Sequence, residues 1–365
     1  MNNNNHKFFY IIPFSLNKPG GKSLGSRNKY KSLSNHFNVK LLSPAYDNIF
    51  SIAYFIVYIE IYICLVAIFN RSNKNIFFTR GVAGMFATMI LKRTSNNLVI
   101  REVHAAPGEY RVIKSSKLKK FLIYLYEKAS FFIDASADFR VYNHPNLHNF
   151  YTNRGVTSSQ DITLYNGATL LDSKLNKEEA RFALDLDQDK VILAFTGSVS
   201  SWHNIGDLVS LQDEFDKNFD NIQIVIGGGK IPETPHHNII NIFPLNEMGC
   251  QNLIVSSDVC LLPVCNNRLS PGSPLKLYQY LLASRPVITQ ENIIGYADEV
   301  LKYNSGISID FGNTLQARLK IINFIKNDLL SISMALKVNK SKMKITWDDR
   351  MESLSQKILS HPKIK

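Results

Sequence analysis

Twice along this chain, short apolar runs of strand length alternate with longer stretches of helical character. The second series is the cleaner one: VILAFTGS, IQIVIGGG, IINIFP, DVCLLPV and PVIT follow one another from Val191 to Thr289, with helical stretches such as Lys276–Ala283 between them. The first series comprises FFYIIPF, VKLLSP, NIFFTR, LVIREVH, ADFRVYNHP and ITLYNGA, again spaced by helix-like segments. Strands separated by helices predict parallel sheets closed by crossover helices. We therefore expect an α/β chain with two Rossmann-like doubly wound sheets, divided near the polar stretch Asp172–Lys177. The expected boundaries are 1–170 and 171–345. Residues 346–365 form a closing helix and tail, since Trp347–Leu359 carries apolar residues at helical intervals. Open parallel sheets bind ligands at the carboxyl ends of their strands, so a cleft between two such domains is the expected site.

A length of 365 residues suits two such domains. Hydrophobic residues make up 45 %, enough for real cores and too many for a disordered chain. The net charge of +12 is unevenly placed. Residues 1–170 hold 21 basic and 8 acidic side chains, whereas residues 171–365 hold 21 and 22. An anionic partner is thus expected on the first half, and the charge alone leaves its class open. Cys64, Cys250, Cys260 and Cys265 show neither CxxC spacing nor paired histidines, which fits reduced thiols in a cytosolic protein. No secretory signal opens the chain, and no metal cluster is evident.

Two segments bear on a membrane. Ile49–Phe69 is 21 residues long with only Ser51 and Glu60 plainly polar, long enough to cross a bilayer. Spanning would, however, place residues 8–13 and 76–79 on opposite sides, although both read as strands of one sheet. A buried helix, or one lying in the interface, is the expectation. In Lys114–Ile133, Leu118, Phe121, Leu122, Leu125 and Phe132 share one helical face. Lys114, Lys117, Lys119 and Lys120 crowd its start, which suits either an amphipathic helix on anionic lipid or a core helix with solvated lysines.

The richest motif is Leu269–Thr289, LSPGSPLKLYQYLLASRPVIT. Ser273–Pro274 predicts a helix start with Ser273 as N-cap and Pro274 at the first helical position. Exposed amides there, around Gly272, Ser273 and Leu275, make an anion site with Lys276 in the first turn, unless this is simply a capped helix. Other motifs fail. GGKS at 20–23 lacks the P-loop glycine, having Leu16 in its place. GGG at 227–229 is not GxGxxG, no GxSxG elbow occurs, and no aromatic-basic nucleic-acid module is present.

The stretch SPLKLYQYLLASRPVIT resembles the signature of retaining glycosyltransferases of the GT-B fold, family four of the carbohydrate-active enzymes. VILAFTGSVSSWHNIGDL, IQIVIGGG, SSDVCLLPV and ITLYNGA fall in the order that the family shows, and PGGKSLGSR, LVIREVH and TWDDRMESL have counterparts too. The resemblance covers nearly the whole chain and is specific from about Val191 to Thr289. It implies a second domain that binds a nucleotide-diphosphate sugar and a first domain that serves the acceptor. It further implies retained anomeric configuration and no bound metal or other cofactor. By resemblance, Gly20 and Gly21 approach the diphosphate, Gly197 lets backbone approach the nucleotide, and Gly227 turns the chain near the base. His104, at the end of a strand, would contact the donor sugar near the reacting carbon, or else be a structural histidine. The family's usual ribose-binding acid is Gln279 here, the usual Lys–Gly pair is His203–Asn204, and the helix-ending glycine is Ser284.

These readings combine into a cytoplasmic enzyme, peripheral on the inner face of the plasma membrane. It would pass a sugar to a lipid-linked or oligosaccharide acceptor in surface-polysaccharide synthesis, such as lipopolysaccharide or capsule. The expected partners are a nucleotide sugar, that acceptor and an anionic membrane surface, with no nucleic acid. A nucleotide-sugar epimerase, or a degenerate transferase kept as a binding or scaffold subunit, are the alternatives.

Overall fold

The first sheet is parallel throughout and has the strand order β2-β1-β3-β4-β5-β6. Its strands are β1 (Lys7–Ile11), β2 (Val39–Leu42), β3 (Asn75–Arg80), β4 (Leu98–Val103), β5 (Phe139–Tyr142) and β6 (Ile162–Thr163). A computed structural model describes residues 6–17, 20–69, 74–94, 97–106, 117–169, 173–200, 202–231, 238–265 and 272–364. The chain divides into two units, Met1–Gly167 with Ile345–Lys365, and Ala168–Lys344. The closing helix therefore packs with the first unit.

From β1 the chain steps one way to β2, then crosses back over β1 to β3 and continues in that direction. Right-handed crossovers then put α1 (Gly21–Leu33) on one face of the sheet. The opposite face carries α2 (Ile49–Phe69), α3 (Met85–Thr94) and α4 (Lys117–Ala135). The period of two in β1 serves both faces. Phe8 and Tyr10 lie toward α1, with Tyr10 stacked on Phe78 at 5.2 Å, while Phe9 stacks on Phe77 at 5.2 Å beneath α2. The last long helix, α13 (Trp347–Leu359), packs on α1 and starts with a capping box between Thr346 and Asp349. Both strands flanking α2 pair with β1.

The second sheet has the order β12-β11-β10-β7-β8-β9, again all parallel. It comprises β7 (Val191–Thr196), β8 (Ile222–Gly227), β9 (Ile240–Ile242), β10 (Val259–Leu262), β11 (Val287–Gln290) and β12 (Gly306–Ile309). The direction of winding reverses at β7, between β8 and β10, which is the switch point where open α/β sheets bind ligands. Strand β12 escapes the sequence reading. Its GISI is short, alternates Ile with Ser, and lies half-buried at the sheet edge.

The helix of the signature motif, α9 (Leu275–Leu282), begins one residue later than expected. Pro274, with φ −77° and ψ 119°, holds the N-cap position, and no side chain caps the helix. Ser273 is not the cap because its hydroxyl is buried and donates to Tyr278 Oη at 3.0 Å, which donates in turn to Glu299 at 2.9 Å. At the other end the chain closes in a Schellman motif. Ser284 N–H donates to Leu281 O and Arg285 N–H to Tyr280 O, both at 2.9 Å. Ser284 sits at φ 57°, a left-handed position, which explains the glycine usual at this point of the pattern. Ser284→Gly is expected to stabilise the protein by about 0.5–1 kcal/mol, read as a raised thermal midpoint with nucleotide binding unchanged.

Candidate functional site

In the second unit the residues singled out from the sequence converge at the carboxyl ends of β7 and β8. Gly197 follows β7 with φ 106° and donates its N–H to Gly227 O at 2.8 Å. A Cβ at Gly197 would lie 2.9 Å from Lys276 Cε, so glycine is required both by the turn and by the lysine's approach. Gly227 is the last residue of β8 and does not itself make the turn, contrary to expectation. A Cβ there would strike Leu253 and Leu245, and the positive φ (94°) belongs to Gly228. The Gly228 backbone lies against Gly197 and against Cys250 of α8 (Glu247–Ser256).

Lys276, in the first turn of α9, lays its Nζ 3.2 Å from His203 Nε2 and 3.9 Å from the centroid of Phe195. His203 Nδ1 lies 3.1 Å from Ser200 Oγ. This network fits a neutral imidazole that donates from Nδ1 to Ser200 and accepts from the lysine at Nε2. His203 thus orients the lysine instead of supplying a second cation. Burial lowers the Lys276 pKa to about 7, with only a weak opposing pull from Cys250. The Cys250 thiol is itself pushed up, chiefly by burial.

Lys276 is half-buried, and a lysine partly desolvated in this way beside an uncapped helix start is poised for an anion. α6 (Lys177–Ala183), α8 and α11 (Thr314–Asn327) all have side-chain caps from Asn176, Asn246 and Asn313. α9 has none among the described residues, as is also true of the helices that start at Ile205, Ala297 and Leu329, so its first amides and the positive end of its dipole lack an acceptor of this kind. Gly272 and Leu275 are half-buried beside that start. Gln279 lies one turn further along, also half-buried, and its side-chain amide has no hydrogen-bond partner among the described residues. Pro271 and the residues just before it lie outside the described residues.

The candidates of the first unit form a separate arrangement. Gly20, at φ 137°, holds the N-cap of α1 with no side-chain cap, and Gly21 opens the helix. Lys22 places its Nζ 4.0 Å from the ring centroid of Phe14. His104, just past β4, puts Nε2 2.7 Å from Glu102 Oε1, and its Nδ1 lies 3.4 Å from Asn143 Nδ2. Lys29 of α1 pairs with the same Glu102 oxygen, and Tyr10 Oη donates to Glu102 Oε2 at 3.1 Å. Burial, reinforced by Arg80 and Lys29, holds the His104 pKa well below the ordinary histidine value. The ring is thus held neutral beside Glu102, and its Nε2 makes no hydrogen bond among the described residues.

Glu102, Lys29 and Cys250 escape the sequence reading. A signal for the first existed in REVH: alternation along a strand sends Arg101 toward Asp134 of α4 and Glu102 to the opposite face. Of the membrane-facing candidates, Lys117 and Lys120 are exposed on α4. Lys114 and the side chain of Lys119 lie outside the described residues.

No family model and no curated protein matches the chain. Solved structures do. A sucrose-phosphate synthase from Thermosynechococcus elongatus aligns over 96 % of this chain and 98 % of its own, with a TM-score of 0.73 and 13 % identity. WaaG, a glycosyltransferase involved in lipopolysaccharide biosynthesis, aligns over 98 % and 100 %, with a TM-score of 0.68 and 11 % identity. Anabaena Alr3699/HepE in complex with UDP aligns over 97 % and 100 %, with a TM-score of 0.67 and 12 % identity. At these identities the likeness establishes architecture. The chain has the GT-B fold, two parallel six-stranded sheets with their helices.

Proposed function

We propose that this protein is a retaining glycosyltransferase of the family-four type. In this reading it moves a sugar from a nucleotide-diphosphate donor to a lipid-linked or oligosaccharide acceptor in cell-surface polysaccharide synthesis. It works at the cytoplasmic face of the plasma membrane. The observation that carries the reading is the meeting of Gly197, the uncapped start of α9 and the desolvated Lys276 at the switch point of the second sheet. Solved structures of similar fold support it by what their own descriptions name, UDP for HepE and UDP-2-fluoro glucose for an Escherichia coli protein described as trehalose-6-phosphate.

The donor's diphosphate sits against the amides of Leu275 and Lys276, and the ammonium of Lys276 neutralises the charge that grows as the sugar departs. The site supplies this stabilisation with a fixed cation and fixed dipoles, without recourse to a metal ion. Gln279 hydrogen-bonds a ribose hydroxyl without the charge assistance of a carboxylate. The basic first unit serves the anionic acceptor.

The test is incubation of the purified protein with UDP-, GDP-, ADP- and CMP-sugars and a detergent-solubilised lipid-linked acceptor, with nucleotide release and product anomer followed by NMR. Acceptor-dependent release of one nucleotide with retained configuration is expected. Gln279 also favours a second reading, a degenerate subunit that binds donor, and binding without transfer under any condition would establish it. Acceptor-independent consumption would point to an epimerase.

A further inference from the structure

The helix face that the sequence marks as apolar is turned outward. In α2, Phe55, Ile59, Ile63, Val66 and Ala67 form one narrow buried stripe against the sheet. The opposite side holds Phe50, Val57, Ile61 and Ile68, and these are 83, 62, 58 and 52 % exposed. Only 28 % of the most apolar stretch of α2 is buried. A helix that is apolar all round belongs inside a core or in lipid, and this one is not inside a core.

Neighbouring helices extend the face. α2 packs on α3 and α3 on α4. α3 adds exposed Phe86 and Ile90. α4 adds Phe121, Leu125 and Phe132, the stripe that the 3.6-residue period picks out in the sequence, and all three are exposed. An amphipathic helix that turns its apolar stripe away from the core reverses the usual globular arrangement.

Three observations identify the occupant. Lys117, Lys120 and Lys128 are exposed along α4, and the half of the sequence that contains these helices carries the whole positive excess. Tyr54, Tyr58 and Tyr62 stack in a row along one flank of α2, with centroid spacings of 6.4 and 5.7 Å, and Lys40 donates to Tyr62 Oη at 2.9 Å. Tyrosine seeks the headgroup level, so a row along the helix, instead of a cluster at its two ends, sets the axis parallel to the membrane plane. On the other flank, Glu60 accepts the N–H of Ala87 at 2.8 Å, tying α2 to the first turn of α3. Both strands beside α2 pair with β1, so the helix is held to the sheet at both ends.

We infer that α2, α3 and α4 form one monotopic docking face that lies flat in an anionic bilayer, with α2 in the interface plane and not across the membrane. This deepens the membrane side of the function proposed above. A second copy of the chain is the competing occupant, but the lysines on α4 would then face their like.

The test uses the full chain and vesicles of phosphatidylcholine with or without phosphatidylglycerol. Wild type is expected to float with the anionic vesicles. Phe50→Ser/Ile61→Ser/Ile68→Ser should bind them at least tenfold more weakly while keeping its circular dichroism. Lys117→Glu/Lys120→Glu should lose about fivefold per lysine on anionic vesicles only. An Ile61→Trp variant should be quenched more by lipids brominated high on the acyl chain than by those brominated near its end; the reverse order would mean spanning and would overturn the in-plane arrangement. Equal partition of all variants, or a lipid-free dimer by light scattering that the triple variant dissociates, would overturn the membrane assignment. Nucleotide-sugar binding is measured in parallel without lipid, so its loss counts against the catalytic reading and vesicle loss against this one.

Discussion

Replacing Lys276 by Met is expected to make the ligand-free protein more stable and to disable it. The two effects have one cause. Burial beside Phe195 and His203 holds the lysine's pKa near 7, so its charge is stored at a cost in the free protein. The sign follows from linkage. The folded pKa lies below the unfolded value, so the unfolded chain binds more protons between the two, and stability rises as pH climbs from about 7 toward 10. Methionine removes that penalty, and a gain of roughly 1–3 kcal/mol at neutral pH remains after allowance for solvent screening. Turnover should fall at least tenfold, because an interaction with charge that grows in the transition state is lost. A variant that is both less stable and fully active would remove Lys276 from the mechanism.

The second large effect is expected at Glu102. Its carboxylate pairs with the buried Lys29, accepts from the Tyr10 hydroxyl and lies beside the His104 ring, all beneath α1. Glu102→Gln keeps the shape but leaves Lys29 in a pocket where burial and Arg80 already push its pKa well down. Removing one partner of a buried ion pair costs about 3–5 kcal/mol, which for a unit of this size lowers the thermal midpoint by roughly 10 °C. Because burial and Arg80 hold the folded Lys29 pKa below its unfolded value in wild type already, the stability of wild type and variant alike should rise as pH climbs toward 10. Lys29→Met in the Glu102→Gln background should recover most of the loss. Thermal unfolding between pH 6 and 10 reads all three outcomes. A single-variant loss below about 0.5 kcal/mol would show that the pair does not hold α1 to the sheet.

How much of this was legible in the sequence depends on the kind of residue. Among the described residues, eleven of the twelve strands lie in the sequence's apolar runs, because a strand buried on both faces is written as a continuous run, as in VILAFT and IQIVIG. β12 was not, since an edge strand with alternating serines carries half the signal. The start of α9 is visible in the sequence as a pattern, yet the helix begins one residue later than Ser273–Pro274 implies. Ser273 is a good cap by composition, and only the tertiary bond to Tyr278 draws its hydroxyl away. The turn expected at Gly227 is made by Gly228, and the missing Cβ of Gly227 instead makes room for Leu253. The Glu102–Lys29 pair was invisible because its members are 73 residues apart and meet only when α1 folds over the sheet. The outward face of α4 could not be assigned from its period, which specifies a stripe and not what the stripe faces.

The central claim, a nucleotide-diphosphate site at Gly197 and Lys276, is tested most directly by calorimetric titration of wild type and Lys276→Met with UDP, GDP, ADP and CMP and their sugars. The titrations are run at pH 7 and 9 in two buffers of different ionisation heat. The account predicts that wild type binds one diphosphate family. At pH 7 it should take up a fraction of a proton per site as the anion restores the lysine's charge, and affinity should weaken by up to tenfold per pH unit above 7. In Lys276→Met the uptake disappears and the residual affinity loses its pH dependence. Binding of no nucleotide, or binding with the same proton uptake in both proteins, would contradict it.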